Sequence, residues 1–232
     1  MTKVLVKERP ILFSSAMVRA LLDGSKTQTR RIIKPQPTQP RQAGYILHAT
    51  DKSREGGFQW SDADCKNLSE PVHCPYGQPG ERLWVRETCR AEEEKGLDGV
   101  RYVADNIFRP IENTREAADA WVDLYHYGKR RGATVPPIHT PRWTSRLLLE
   151  IIAVRVERLQ GISETDAKAE GIESRDGEGF YWRDYELKNG WHANHPVMSY
   201  ETLWRAINGP NSWAANPWVW VVEFKVIEPA HV

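Results

Sequence analysis

Gly24-Ser25-Lys26-Thr27-Gln28-Thr29-Arg30-Arg31 marks a change of periodicity in the chain. Before it, Ser14 stands as an N-cap, and Met17, Val18, Leu21 and Leu22 recur on one helical face. That short helix ends at Gly24, where a left-handed C′ residue belongs. After it, residues 27–33 are β-branched and charged and predict a strand, stopped by Pro35 and Pro37. In a strand, Thr27, Thr29 and Arg31 share one face, and Gln28 and Arg30 the other. A ladder of hydroxyls ending in a guanidinium needs a partner for every polar group once buried. It suits a pocket filled by water or an anion.

The same region is locally basic. Arg19, Lys26, Arg30, Arg31 and Lys34 oppose Asp23 alone, a net +4 over residues 19–34. Lys26 follows a helix C-terminus, so compensating the helix dipole is an ordinary role open to it. The chain as a whole is balanced: 32 Lys and Arg against 31 Asp and Glu, in 232 residues, leave a charge of +1. Bulk polycation binding to nucleic acid or membrane is therefore excluded, and any such contact must be local. No apolar run approaches a membrane span, and residues 1–13 lack the apolar core of a secretion signal. Three cysteines, Cys65, Cys74 and Cys89, disfavour a disulfide framework and fit a reducing cytoplasm. Ten Trp beside five Phe is high Trp usage. Most serve core packing, and stacking on a flat base is open to one or two.

Further along, strands are predicted at 82–87, 100–104, 147–159 and 218–226. Helices are predicted at 115–127, at 164–170 with Ser163 as cap and Gly171 as stop, and from Ser199 to Ile207. Residues 36–78 and 173–197, rich in Pro, Gly and polar side chains, read as two insertions. No repeat of fixed period is visible. Five or six strands with short helices predict one α+β domain over residues 1–232, built on a small β-barrel.

Four blocks carry a family resemblance. Residues 24–31, Gly80-Glu81-Arg82-Leu83-Trp84-Val85-Arg86-Glu87, Ala167-Lys168-Ala169-Glu170-Gly171-Ile172 and the 218–225 strand together resemble the ASCH domain family. The chain looks like the long ASCH proteins of tailed phages and prophages, from about Arg9 to Glu228. The resemblance implies a PUA-like pseudo-barrel with flanking helices, and RNA or modified bases as ligands. Within the family, the small N4-acetylcytidine amidohydrolases use a Lys, a Thr three residues later and a downstream Glu. Matched by motif, these are Lys26, Thr29 and Glu170. No cofactor is implied.

The chemistry of such a set is coherent. A threonine hydroxyl needs a base, and a lysine serves as one when its pKa falls towards neutrality. Burial and Arg30 or Arg31 push it down, while the Glu170 carboxylate pushes it up, so Lys26 must be at least half buried. Glu170 then orients Lys26 or protonates the leaving amine. Its structural alternative is a helix-ending carboxylate beside Gly171, mildly unfavourable against the dipole. Thr27, Arg30 and Arg31 join this site as substrate-binding residues. Arg86 and Glu87 at a strand end are either a surface pair or a contact to phosphate or base edge. His139, Arg142 and Trp143, set between prolines, suit a stacking and phosphate-binding lip.

Cys65, His73, Cys74 and Cys89 do not make a metal site, since gaps of 8 and 14 residues between the cysteines fit no zinc module. No Walker motif and no nucleophile elbow occurs. The expected partner is a nucleoside or RNA, and the leading activity is amide hydrolysis on a modified cytidine. A non-catalytic RNA or modified-nucleotide reader is the alternative. A phage–host interaction protein, with an apolar patch on residues 180–191, is a third.

Overall fold

In the computed structural model, which describes residues 6–175, 181–187 and 190–227, the order opens with β1 (Glu8–Leu12), α1 (Ser15–Leu22) and β2 (Gln28–Ile32). Strands β3 (Arg41–Tyr45), β4 (Gly57–Ser61), β5 (Val72–His73), β6 (Arg82–Arg86), β7 (Cys89–Glu94), β8 (Leu97–Tyr102) and β9 (Phe108–Pro110) follow. Helix α2 (Arg115–Tyr125) leads to the long β10 (Leu148–Arg158) and to α3 (Glu164–Ala169). Then come β11 (Trp182–Asp184), β12 (Gly190–Ala193), α4 (Pro196–Asn208) and β13 (Trp218–Ile227). The described residues are α+β, with more strands than the five or six expected. Residues 176–180, 188 and 189 of the expected 173–197 insertion, and Glu228 at the end of the resemblance, lie outside them. No helix among them is long and apolar enough to cross a membrane.

The chain divides into two compact units. One comprises Met1–Gly24, Arg82–Leu149 and Val226–Val232, the other Ser25–Glu81 and Glu150–Lys225. In the first, β1 pairs parallel with β6, Ile11 facing Val85. Leu83 and Val85 are buried while Arg82, Trp84 and Arg86 alternate to a half-exposed face. Strands β7, β8 and β9 form an antiparallel meander. Helix α2 lays Trp121 and Leu124 against Cys89, Ala91, Val100, Tyr102 and Val135. Thr144, next to this core, accepts the Tyr102 hydroxyl at its carbonyl, 2.9 Å.

In the second unit, β10, β13 and β2 lie side by side in that order, β13 antiparallel to β2 with Val222 opposite Thr29. Strand β13 is buried on both faces from Trp218 to Val222. Val219 and Val221 pack with Leu159, Ile162, Ala167, Tyr200 and Trp204. Trp218 and Trp220 meet Trp60 and Phe58 edge-on, with ring centroids 6.1 and 5.4 Å apart. A strand with two apolar faces needs cover on both, and β4 supplies one side.

The structure departs from the sequence expectation in two places. Residues 36–78, read as an irregular insertion, hold the sheet β3-β4-β5, and β4 is buried along its whole length. Gly57, one of the residues that signal a loop, serves packing instead: a Cβ there would stand 2.6 Å from Pro71 Cβ. Ser199 does not cap α4. His195 does, its Nδ1 accepting from Val197 N at 3.2 Å with Pro196 in the first turn, and the Ser199 hydroxyl donates to Arg183 O at 2.6 Å inside the protein.

Candidate functional site

Helix α3 is set by its caps. The Ser163 hydroxyl accepts from Asp166 N at 3.1 Å, and Glu170 ends the helix before Gly171, whose φ of +78° turns the chain away. That end meets the start of β2. Thr27 N donates to Ala169 O at 2.9 Å, and Lys26 and Glu170 form an antiparallel bridge. The backbone thereby fixes both side chains. Lys26 Nζ donates to Glu170 Oε2 at 2.9 Å and to the Glu170 carbonyl at 2.8 Å. Lys26 is 1% exposed and Glu170 2%. Burial lowers the Lys26 pKa below its ordinary 10.5, against the pull of Glu170 and with the help of Arg31 and Arg30.

Arg30, four residues after Lys26 and within β2, joins them. Its Nη2 donates to Glu157 Oε2 at 3.0 Å and to Asp166 Oδ2 at 2.9 Å. Its Nη1 stands 3.5 Å from Glu170 Oε1. Arg30 Nε, Arg30 Nη1 and Glu170 Oε1 are buried and make no hydrogen bond. Arg155 donates to both oxygens of Asp166 at 3.0 Å and also reaches Glu157, Glu223 and Gln28. Gln28 Nε2 donates to Asp166 O at 2.8 Å. Burial works against charge on Arg30, but Glu170 first, then Glu157 and Asp166, outweigh it and hold the guanidinium firmly protonated.

Lys26, Gln28 and Arg30 thus all turn toward α3 and its C-terminal end. Strand alternation assigns Thr27, Thr29 and Arg31 to the opposite parity. Thr29 is 2% exposed, and Thr27 O accepts from Phe224 N at 2.8 Å. The charge of Arg31 bears on Lys26, on Tyr76 and on Tyr200. Tyr200 went unnoticed in the sequence. It is buried on α4, and burial, then Glu170, keeps its phenol well above 10 and so neutral, against Arg30 and Arg31. Arg155 and Glu157 leave a trace in the alternating charge along 150–157, and nothing in the sequence singles out Asp166 on α3.

Arg86, Glu87, His139, Arg142 and Trp143 belong to the first unit. Arg86 donates to the carbonyls of Thr140 at 3.0 Å and Ile138 at 2.5 Å. Arg142 pairs with Glu8 at 2.9 Å, and both arginines lie over the Trp84 ring, 5.4 and 5.8 Å from its centroid. Trp143 is 36% exposed, and the exposed His139 ring is 5.6 Å from Tyr127. Glu87 is buried and chelated by Arg146 at 2.8 and 2.9 Å. Cys65, Cys74 and Cys89 form no disulfide. Among the described residues no three His, Cys, Asp or Glu side chains gather as a metal site would need.

The chain matches no protein-family model, no curated protein and no solved structure.

Proposed function

We propose that the Lys26–Arg30–Glu170 cluster holds the base of a nucleoside, free or within RNA, and serves hydrolysis of an acyl amide on a modified cytidine. The reading takes the strands as PUA-like, and three cysteines outside any disulfide suit the reducing cytoplasm it assumes. One observation carries it: a lysine and a glutamate 144 positions apart meet at 2.9 Å in a buried place. Beside them, an acceptor without a donor (Glu170 Oε1) faces donors without an acceptor (Arg30 Nε and Nη1). The cytosine edge, an exocyclic N–H beside the N3 and O2 acceptors, answers both demands.

In the reaction, Thr29 Oγ attacks the acyl carbon and gives its proton to Lys26. The C–N bond breaks, and the exocyclic amine leaves with a proton passed through Lys26 and Glu170. Water then cleaves the threonyl ester, releasing the carboxylic acid and restoring the hydroxyl. The lowered pKa of Lys26 supports its part as base.

A second reading, a reader of modified nucleotides without catalysis, is favoured by the register: Thr29 lies at odd spacing from Lys26. Incubation with N4-acetylcytidine and a panel of acylated nucleosides separates the two. Hydrolysis by the wild type, lost in Lys26→Ala and Thr29→Ala, is the expected result. No turnover of any substrate, with salt-sensitive retention of RNA, favours the reader.

A further inference from the structure

Arg30 uses one nitrogen of its guanidinium and leaves the rest of its donors unbonded in the interior. Unmet buried donors are costly, more so on a charged group. A small rotation toward Glu170 Oε1 would close the 3.5 Å gap and satisfy both sides. Two carboxylates oppose it. Asp166 and Glu157 grip Nη2 together, and Arg155 holds both carboxylates in turn. Asp166 is further fixed by its place in the first turn of α3, its backbone N bonded to Ser163.

We propose that Asp166 and Glu157 are positioning residues that hold Arg30 back from Glu170, so that its Nε–H and Nη1–H stay free for a carbonyl oxygen of the ligand. The inference rests on the reading of this cluster as a ligand site. Phosphate is the wrong occupant: Lys26, Arg30 and Arg155 are already matched by Glu157, Asp166, Glu170 and Glu223. A neutral oxygen accepts from Arg30 without being repelled by Glu170, and a neighbouring N–H on the same ligand donates to Oε1.

The test is a double-mutant cycle on the full chain, read by calorimetric titration with cytidine and with N4-acetylcytidine. Asp166→Asn and Arg30→Lys should each weaken binding by about tenfold or more. In the Arg30→Lys background, adding Asp166→Asn should change affinity by less than about twofold, because the residue through which Asp166 acts is gone. Glu157→Gln repeats the cycle from the more exposed side of the clamp, should Asp166→Asn fail to fold. Wild-type affinity in Asp166→Asn and Glu157→Gln, or equal losses in both backgrounds, overturns the clamp and leaves the ligand site standing. A wild type that binds neither nucleoside overturns the ligand site and the clamp with it.

Discussion

Lys26 Nζ lies between the carboxylate and the main-chain carbonyl of Glu170, at 2.9 and 2.8 Å, with neither residue more than 2% exposed. The bridge between their backbones brings the side chains together before any side-chain attraction acts. Such a pair has to repay the desolvation of both ions, and its attraction alone seldom does so by a wide margin.

Removing one member should therefore cost far more than removing both. Lys26→Met leaves the Glu170 carboxylate buried without its partner, and Glu170→Leu strands the ammonium. Each should lower the unfolding free energy by about 3–5 kcal/mol, with about half recovered in the double variant Lys26→Met/Glu170→Leu. Urea unfolding of the four proteins measures this. Additive losses would mean that the two charges do not sense each other.

The lowered pKa of Lys26 has a consequence for pH. Below its ordinary 10.5, the unfolded chain binds the Lys26 proton more tightly than the folded one does. Stability from this group therefore rises with pH, from the lowered folded value up to 10.5. Lys26→Met should flatten that rise. Urea midpoints for wild type and variant across the alkaline range give the difference, and parallel curves would contradict the assignment.

The legible parts of this architecture are the local ones. Ser14 and Ser163 as caps, and Gly24 and Gly171 as stops, all depend on groups within a few residues, and each performs its expected role. The basic stretch 19–34 was misleading for the opposite reason. Its net +4 reads as an open cationic patch, but Lys26 is matched by Glu170, and Arg30 by Glu157, Asp166 and Glu170, partners more than a hundred positions away. Nothing in the stretch itself names those partners. Tyr200 was hidden by placing the start of α4 at Ser199, which leaves the next residue in a first turn rather than on a buried face. Strand β4 is hidden because Gly56 and Gly57 at its start, where a Cβ would meet Gln78 and Pro71, look the same as the glycines of a loop.

The three thiols should react in distinct classes. Cys65 is exposed, Cys74 and Cys89 are buried. Burial, then the charge of Glu87, pushes the Cys89 thiol up to about 12. A thiolate is the reactive form, so Cys89 should resist a disulfide reagent in the native protein. One fast equivalent is expected, lost in Cys65→Ser, with the others appearing only in denaturant. Because its folded pKa is raised above 9.0, Cys89 also contributes stability that is complete below that pH and is lost as pH climbs to about 12. Cys89→Ala should shallow that alkaline loss; a fast thiol surviving in Cys65→Ser would sink the assignment.

Arg146 is the hinge of the charge arrangement in the first unit. It chelates Glu87 at 2.8 and 2.9 Å, bonds Asp105 at 2.7 and 3.1 Å, and lies 4.0 Å over the Tyr102 ring. The Glu87 side chain is 3% exposed, and burial raises its pKa despite the arginine. Arg146→Met should thus strand a buried carboxylate and cost about 3–5 kcal/mol at neutral pH. Freed of its cation, Glu87 will take up a proton more readily still. A raised folded pKa means stability that is fully present below the unfolded value of 4.5 and lost as pH rises through the folded one. The deficit of Arg146→Met should therefore shrink in acid and be widest at neutral pH. Adding Glu87→Gln to Arg146→Met should remove that pH dependence. Unfolding curves at acid and neutral pH for the three proteins decide it, and a deficit that does not vary with pH would show that Glu87 is not the group left behind.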